Sequence, residues 1–177
     1  GLGDVYKRQA NNNINKSVFK EAVVIQMTWP GAPTVYYGDE AGVCGFTDPD
    51  NRRTYPWGHE DKELIDFHKA AIKMHKENEV LRTGSYKQLY SAHNVIAYGR
   101  FTSDDAVIVV VNNGEDEIRV NIPAWETGLA MDDDVEQIMV TFEGGYSTDR
   151  QGYRLKDGIL NIGLRKTSAT VLRRLRW

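Results

Sequence analysis

The sequence has a single cysteine, Cys44, among 177 residues, which excludes an internal disulfide framework. It has no apolar run approaching the length of a membrane span, so no membrane partner is expected. It has no charge excess either: 22 Lys and Arg stand against 25 Asp and Glu, a net charge of −3. That balance offers no basic field to nucleic acid or an anionic surface, since the only dense basic runs are Arg52-Arg53 and 173–176. An initiator Met and a signal-peptide pattern are also missing, so the native N-terminus is expected to lie upstream, and the compartment stays open. Residues 1–9, GLGDVYKRQ, fit no pattern that follows them. They resemble translated sequencing-adaptor read-through and are set aside as a leader.

What is present has the balance of a soluble globular protein, 41% hydrophobic and 27% charged, with length for one ordinary domain or two small ones. From Ser17, a candidate N-cap, Phe19, Ala22, Val23, Gln26 and Met27 recur at the spacing of one helical face. Pro30-Gly31 ends that helix. Pro33-Thr34-Val35-Tyr36-Tyr37 then reads as a short strand, continuously apolar or aromatic, as in a parallel sheet covered on both faces. An irregular segment rich in Gly, Asp, Asn and Pro runs from Asp39 to about Glu60, and loops of that length inside compact domains are usually functional. A second helix is expected over 61–78, with Leu64, Phe67, Ala71, Ile72 and His75 on one face.

After Leu81 the period changes from 3.6 to 2. Strands are expected at 86–91, 95–101, 106–111, 118–122, 136–142, 154–156, 159–162 and 169–175, separated by turn signals such as Asp157-Gly158. Short strands at such close spacing predict an antiparallel β-sandwich, with the boundary near Arg82-Thr83-Gly84.

In a barrel of parallel strands, active sites lie at the carboxyl ends of the strands. Tyr36-Tyr37-Gly38 is such an end, and the acidic loop begins there. A whole barrel needs roughly 250 residues, far more than precede the β-rich part.

Gly31-x-Pro-x-x-Tyr-Tyr-Gly-Asp-Glu-x-Gly42, followed by Asp48-Pro-Asp-Asn-Arg-Arg53 and Trp57, resembles glycoside hydrolase family 13, the α-amylase family, and within it the neopullulanase and cyclomaltodextrinase group. The later phrase 75–86, HKENEVLRTGSY, resembles the exit from that family's last barrel helix. The resemblance implies an α/β piece, 10–83, comprising the last helix–strand–helix of a TIM (β/α)8 barrel, then an all-β C-terminal sandwich over 84–177. It also implies an α-glucan oligosaccharide as partner and a retaining two-carboxylate mechanism in the parent enzyme. The family's three catalytic carboxylates follow earlier barrel strands, so no catalytic residue is expected in this chain and the chain alone is expected to be inactive. Asp48 and Arg52 match a pair that binds sugar hydroxyls, a role suited to a carboxylate acceptor and a guanidinium fork. The plainer reading is a mutual ion pair that shapes the loop. Trp57 is a candidate sugar-stacking residue or an anchor for the loop.

Other residues carry weaker expectations. Asp39 and Glu40 are adjacent on an extended segment and so point apart; they, with Asp50, are expected to hold the loop rather than flank a scissile bond. Tyr36 and Tyr37 are expected to face the core. Neither metal nor cofactor is expected: Asp48-x-Asp50-x-Arg52 breaks the EF-hand pattern, and His68 and His75 have no nearby third zinc ligand. Two other classes remain open. One is a non-catalytic amylase-like protein of the transporter heavy-chain kind. The other is a carbohydrate-binding module, with Tyr146 and Tyr153 the best candidates on strands that show no aromatic row. A lone barrel strand leaves an unpaired edge, so self-association, or loose order over 15–60, is also expected.

Overall fold

The computed structural model describes residues 14–45 and 48–175; the leader and the start of the turn-like segment before the first helix lie outside them. Helix α1 spans Lys16–Thr28. Its N-cap is Asn15 rather than the expected Ser17, because the Asn15 side chain accepts from the amides of Ser17 and Val18 and places Ser17 inside the first turn. Helix α2 spans Lys62–Glu77 and is capped by Asp61, whose carboxylate accepts from Leu64 N at 3.2 Å. A short α3, Glu79–Thr83, leads into the sheets.

The β-rich part contains the expected antiparallel sandwich. Strands β1 (Ser85–Ala92), β2 (Val95–Phe101), β3 (Ala106–Asn112), β9 (Ser168–Arg174), β5 (Asp134–Phe142) and β6 (Gly145–Ser147) lie side by side in that order, and β7 (Gln151–Arg154) also pairs with β5. Strands β4 (Ile118–Pro123) and β8 (Ile159–Leu164) form a second, two-stranded sheet. Every pairing is antiparallel. Two details differ from expectation. β6 goes unnoticed in the sequence because a three-residue strand leaves no alternation to read, and β7 starts earlier than 154–156, since its register against β5 runs from Gln151 to Arg154.

The larger sheet is covered on both faces. One face sets Tyr98, Val107, Val109, Met139 and Val171 against Val23, Val24 and Met27 of α1 and Phe67, Ala71 and Met74 of α2. The other sets Ala97, Ile108, Val110 and Leu172 against Val120, Ile122, Leu160, Ile162 and Leu164 of the small sheet. β3, AVIVVVN, is buried at every position, which is why it reads as an unbroken apolar run. Tyr146 packs its ring 5.2 Å from Phe67, and Tyr153 packs on the second core, so both serve packing.

A polar knot ties the helical layer to the sheet. Arg100 is buried, and its Nη1 and Nη2 donate to the carbonyls of Thr28 and Gly84, each at 2.8 Å. Burial pushes its pKa down, opposed by Tyr98. The Thr28 hydroxyl meets the Tyr98 hydroxyl at 2.6 Å, and a ring nitrogen of His75 meets Met27 O at 2.7 Å. The end of α1, from which the candidate site departs, is therefore fixed by three side chains from other elements.

The expected strand at 33–37 does not form. Residues 32–36 form neither strand nor helix, and among the described residues no other segment pairs with them as a strand. A strand is defined by its ladder, so an apolar sequence with the right propensity remains a connecting segment when no partner lies beside it.

Candidate functional site

Trp29 leaves α1 in an extended conformation, Gly31 turns at φ 115, and Gln26 Nε2 donates to Thr34 O at 2.5 Å, holding the connecting segment along the helix. Gly38 then reverses the chain at φ 90, and a Cβ there would stand 2.8 Å from Val43 Cγ2, so this turn requires glycine. Glu40 folds back and accepts from the Gly38 amide at 2.9 Å. This is the loop-holding role expected of it. Asp39 is half-buried; burial raises its pKa, His68 opposes this, and Glu40 adds to it. Asp39 and Glu40 open a 3-10 turn, Asp39–Ala41, and form no pair across a shared gap.

The long loop closes at its base, where the Asp61 amide donates to Ala41 O at 3.0 Å. At its tip Arg52 Nε meets Asp48 Oδ1 at 2.7 Å, with the two side chains 61% and 69% exposed. The mutual pair is thus formed, and both partners keep further donors and acceptors facing solvent. Asp50 accepts from Arg53 Nε and Nη2 at 2.8 and 2.9 Å, a planar fork that holds the following turn. The Tyr37 hydroxyl donates to Arg53 O at 2.7 Å and ties the connecting segment to the loop.

Two aromatic expectations are corrected. Tyr36 and Tyr37 do not face the core: they are 47% and 44% exposed, with ring centroids 5.0 Å apart. The absent ladder explains this, because nothing lies over the outer side of the segment. Trp57 is not an anchor, since it is 80% exposed and touches the Tyr55 ring at 4.6 Å between centroids. Tyr55 is the residue that sequence reasoning missed. Partial burial, the charges of Glu40 and Glu60 and a hydrogen bond with the Glu40 side chain raise its pKa. Its only signal was its position two residues before Trp57.

His68 and His75 each use a ring nitrogen on a main-chain carbonyl, of Leu64 and Met27 respectively, and so work as packing polar groups. The Cys44 thiol points at Gly42 O, 3.6 Å away. The site is therefore an exposed loop, with an acid–guanidinium pair at its tip and two aromatic pairs, Tyr36–Tyr37 before it and Tyr55–Trp57 within it. It can hydrogen-bond neutral hydroxyls and stack on apolar ring faces.

No family model matches the sequence. Among characterised relatives, an amylopullulanase of Thermoanaerobacter thermohydrosulfuricus is 42% identical over 118 residues, 60% of this chain and 8% of the relative. A cyclomaltodextrinase of Thermoanaerobacter pseudethanolicus is 43% identical over 96 residues, 53% of this chain and 17% of the relative. Among solved structures, an α-amylase of Geobacillus thermoleovorans complexed with acarbose superposes with a TM-score of 0.78 at 24% identity, covering 97% of this chain and 36% of that one. The chain thus spans less than a fifth of these two relatives and about a third of that structure.

Proposed function

The chain belongs to the α-amylase family of glycoside hydrolases, family 13, matching its C-terminal region, and from that premise we propose that it supplies the rim of an α-glucan-binding cleft and the domain that braces it. In this reading residues 10–83 are the closing part of a (β/α)8 barrel, in which 33–37, unpaired in this chain, would become a strand only beside its barrel neighbours, and residues 84–177 are its C-terminal sandwich. The superposition over nearly the whole chain with an α-amylase supports the assignment. The names of the relatives, amylopullulanase and cyclomaltodextrinase, support α-glucan as the substrate class.

The observation that carries the reading is the loop tip itself. Asp48 and Arg52 stand exposed and paired at 2.7 Å, with Trp57 uncovered in the same loop. The carboxylate accepts from sugar hydroxyls, the guanidinium donates to them, and the indole covers a sugar's C–H face. Bond cleavage belongs to carboxylates outside these residues: a general acid protonates the leaving glycosidic oxygen while a nucleophilic carboxylate takes the anomeric carbon, and water then releases the sugar.

Two measurements test this. The isolated chain, incubated with maltoheptaose, should release no reducing sugar above a heat-killed control; measurable turnover overturns the assignment of catalysis elsewhere. In the whole enzyme, Arg52→Ala should lower kcat/KM about tenfold, mostly through KM, as expected for one lost charged hydrogen bond to substrate. An unchanged KM removes the rim role.

A further inference from the structure

The outer face of the small sheet carries a second set of polar groups. Alternation along β4 and β8 sends Val120, Ile122, Leu160, Ile162 and Leu164 into the core and leaves Arg119, Asn121, Asn161 and Gly163 outward. The register sets Arg119 opposite Gly163 and Asn121 opposite Asn161. The side chains join in one direction: Arg119 Nη1 donates to Asn161 Oδ1 at 2.6 Å, and Asn161 Nδ2 donates to Asn121 Oδ1 at 2.7 Å. Gly163 provides the space, since a Cβ there would lie 3.3 Å from Arg119 Nη2. Along the same strands Pro123 pairs with Ile159, and Trp125 follows, its amide donating to Gly158 O at 3.0 Å. The indole packs beside Met131 over Gly158 and remains 47% exposed.

Cross-strand pairing alone accounts for an amide ladder. It does not account for an uncovered indole at the ladder's end. We propose that this face is a second saccharide-binding surface, separate from the rim, that holds an α-glucan chain along β4 and β8. The relay uses one N–H and one lone pair of Asn161, while the exposed Arg119 and Asn121 carry further N–H groups. Fixed by one another, these groups are pre-ordered for a hydroxyl edge, while the indole suits a sugar's C–H face. A polyanion would meet one cation in the ladder, and an apolar peptide would meet polar positions throughout it. From Arg119 to Pro123 the row extends about 13 Å along the strand, and Trp125 follows in the 3-10 turn Ala124–Thr127, so the face suits a short run of sugar units. The choice of α-linked glucose rests on the reading of the rim given above.

The test is titration of maltoheptaose into the 15N-labelled 177-residue chain. Binding should shift the Trp125 indole N–H and the side-chain amides of Asn121 and Asn161. Trp125→Ala and the double change Asn121→Ala/Asn161→Ala should each weaken binding about tenfold. Gly163→Val, which pushes the guanidinium off the strand, should weaken it severalfold. Absence of those shifts at millimolar sugar, or binding indifferent to Trp125→Ala, overturns the proposal. Arg52→Ala separates the two surfaces: binding lost with it but kept in Trp125→Ala leaves the rim standing and this surface refuted. The reverse pattern supports this surface and counts against the rim.

Discussion

At the scale of single residues, Glu21 is a buried carboxyl whose position carries a cost. It is 3% exposed on α1, and among the described residues its Oε1 has no hydrogen-bond partner. The cleft that it lines beside β1 and β2 offers Ser91, Asn94 and Asn113 as polar neighbours and no charged one. Burial raises its pKa to about 7. The sign follows from linkage. Below the unfolded value, near 4.3, both states are protonated and no penalty exists. Between there and about pH 7 the unfolded chain ionises while the folded one does not, so stability falls as pH rises and the penalty is complete above 7. Its upper bound is about 3.5 kcal/mol. Glu21→Gln should therefore leave stability nearly unchanged at pH 4.5 and raise it by about 1–3 kcal/mol at pH 8, read from urea denaturation of both proteins at both pH values. An equal difference at the two pH values would show that Glu21 finds a partner. Arg100 is the contrasting case: also buried, but with its fork spent on two carbonyls, it couples α1 to β2.

At the scale of elements, the helices and most strands were legible because their periods are strong and their neighbours lie within the chain. The Asp157-Gly158 turn has φ values of 52 and 75, the paired left-handed geometry that such a dipeptide favours, but only the Lys156–Ile159 bridge spans it, since the flanking strands pair elsewhere, β7 with β5 and β8 with β4. Segment 32–36 was misread for the opposite reason: its composition is that of a strand, but strand formation depends on a neighbour, which no local pattern records. The exposure of Tyr36, Tyr37 and Trp57 was illegible on the same ground. The Asp48–Arg52 pair was legible through the family resemblance of its motif, whereas Tyr55 and the outward ladder on β4 and β8 depend on loop closure and cross-strand register. Asp61 joins several of these elements, since it caps α2, closes the loop at Ala41 through its amide, and pairs with Lys16 of α1. Burial pushes its carboxyl up; the Lys16 ammonium and the Leu64 and Glu63 amides outweigh this and hold it below the usual range. Asp61→Ala should cost about 1–2 kcal/mol, and Asp61→Asn, which keeps a capping oxygen, clearly less. Equal losses would mean that the charge pair with Lys16, rather than the cap, carries the effect.

At the scale of the whole molecule, the two layers of β-structure close on themselves while the helical layer does not. Both faces of the large sheet are covered, yet Val18, Trp29, Tyr36 and Tyr37 stand 39–47% exposed along α1 and the segment after it. Among the described residues, that segment's carbonyls meet only the Gln26 side chain, at Thr34, and the Asp39 amide, at Tyr36. Apolar side chains beside an unpaired extended backbone form a surface that recruits a second chain. The 177-residue chain should therefore associate with rising concentration through residues 29–37, which sedimentation velocity would record as a shift from monomer to larger species. Replacing Trp29 and Tyr36 by Lys should return it to monomer without loss of secondary structure, because neither side chain belongs to the fully buried core. A monomer at all concentrations, with slow amide exchange across 33–37, would contradict this, since it would mean that the segment satisfies its own backbone without a neighbour.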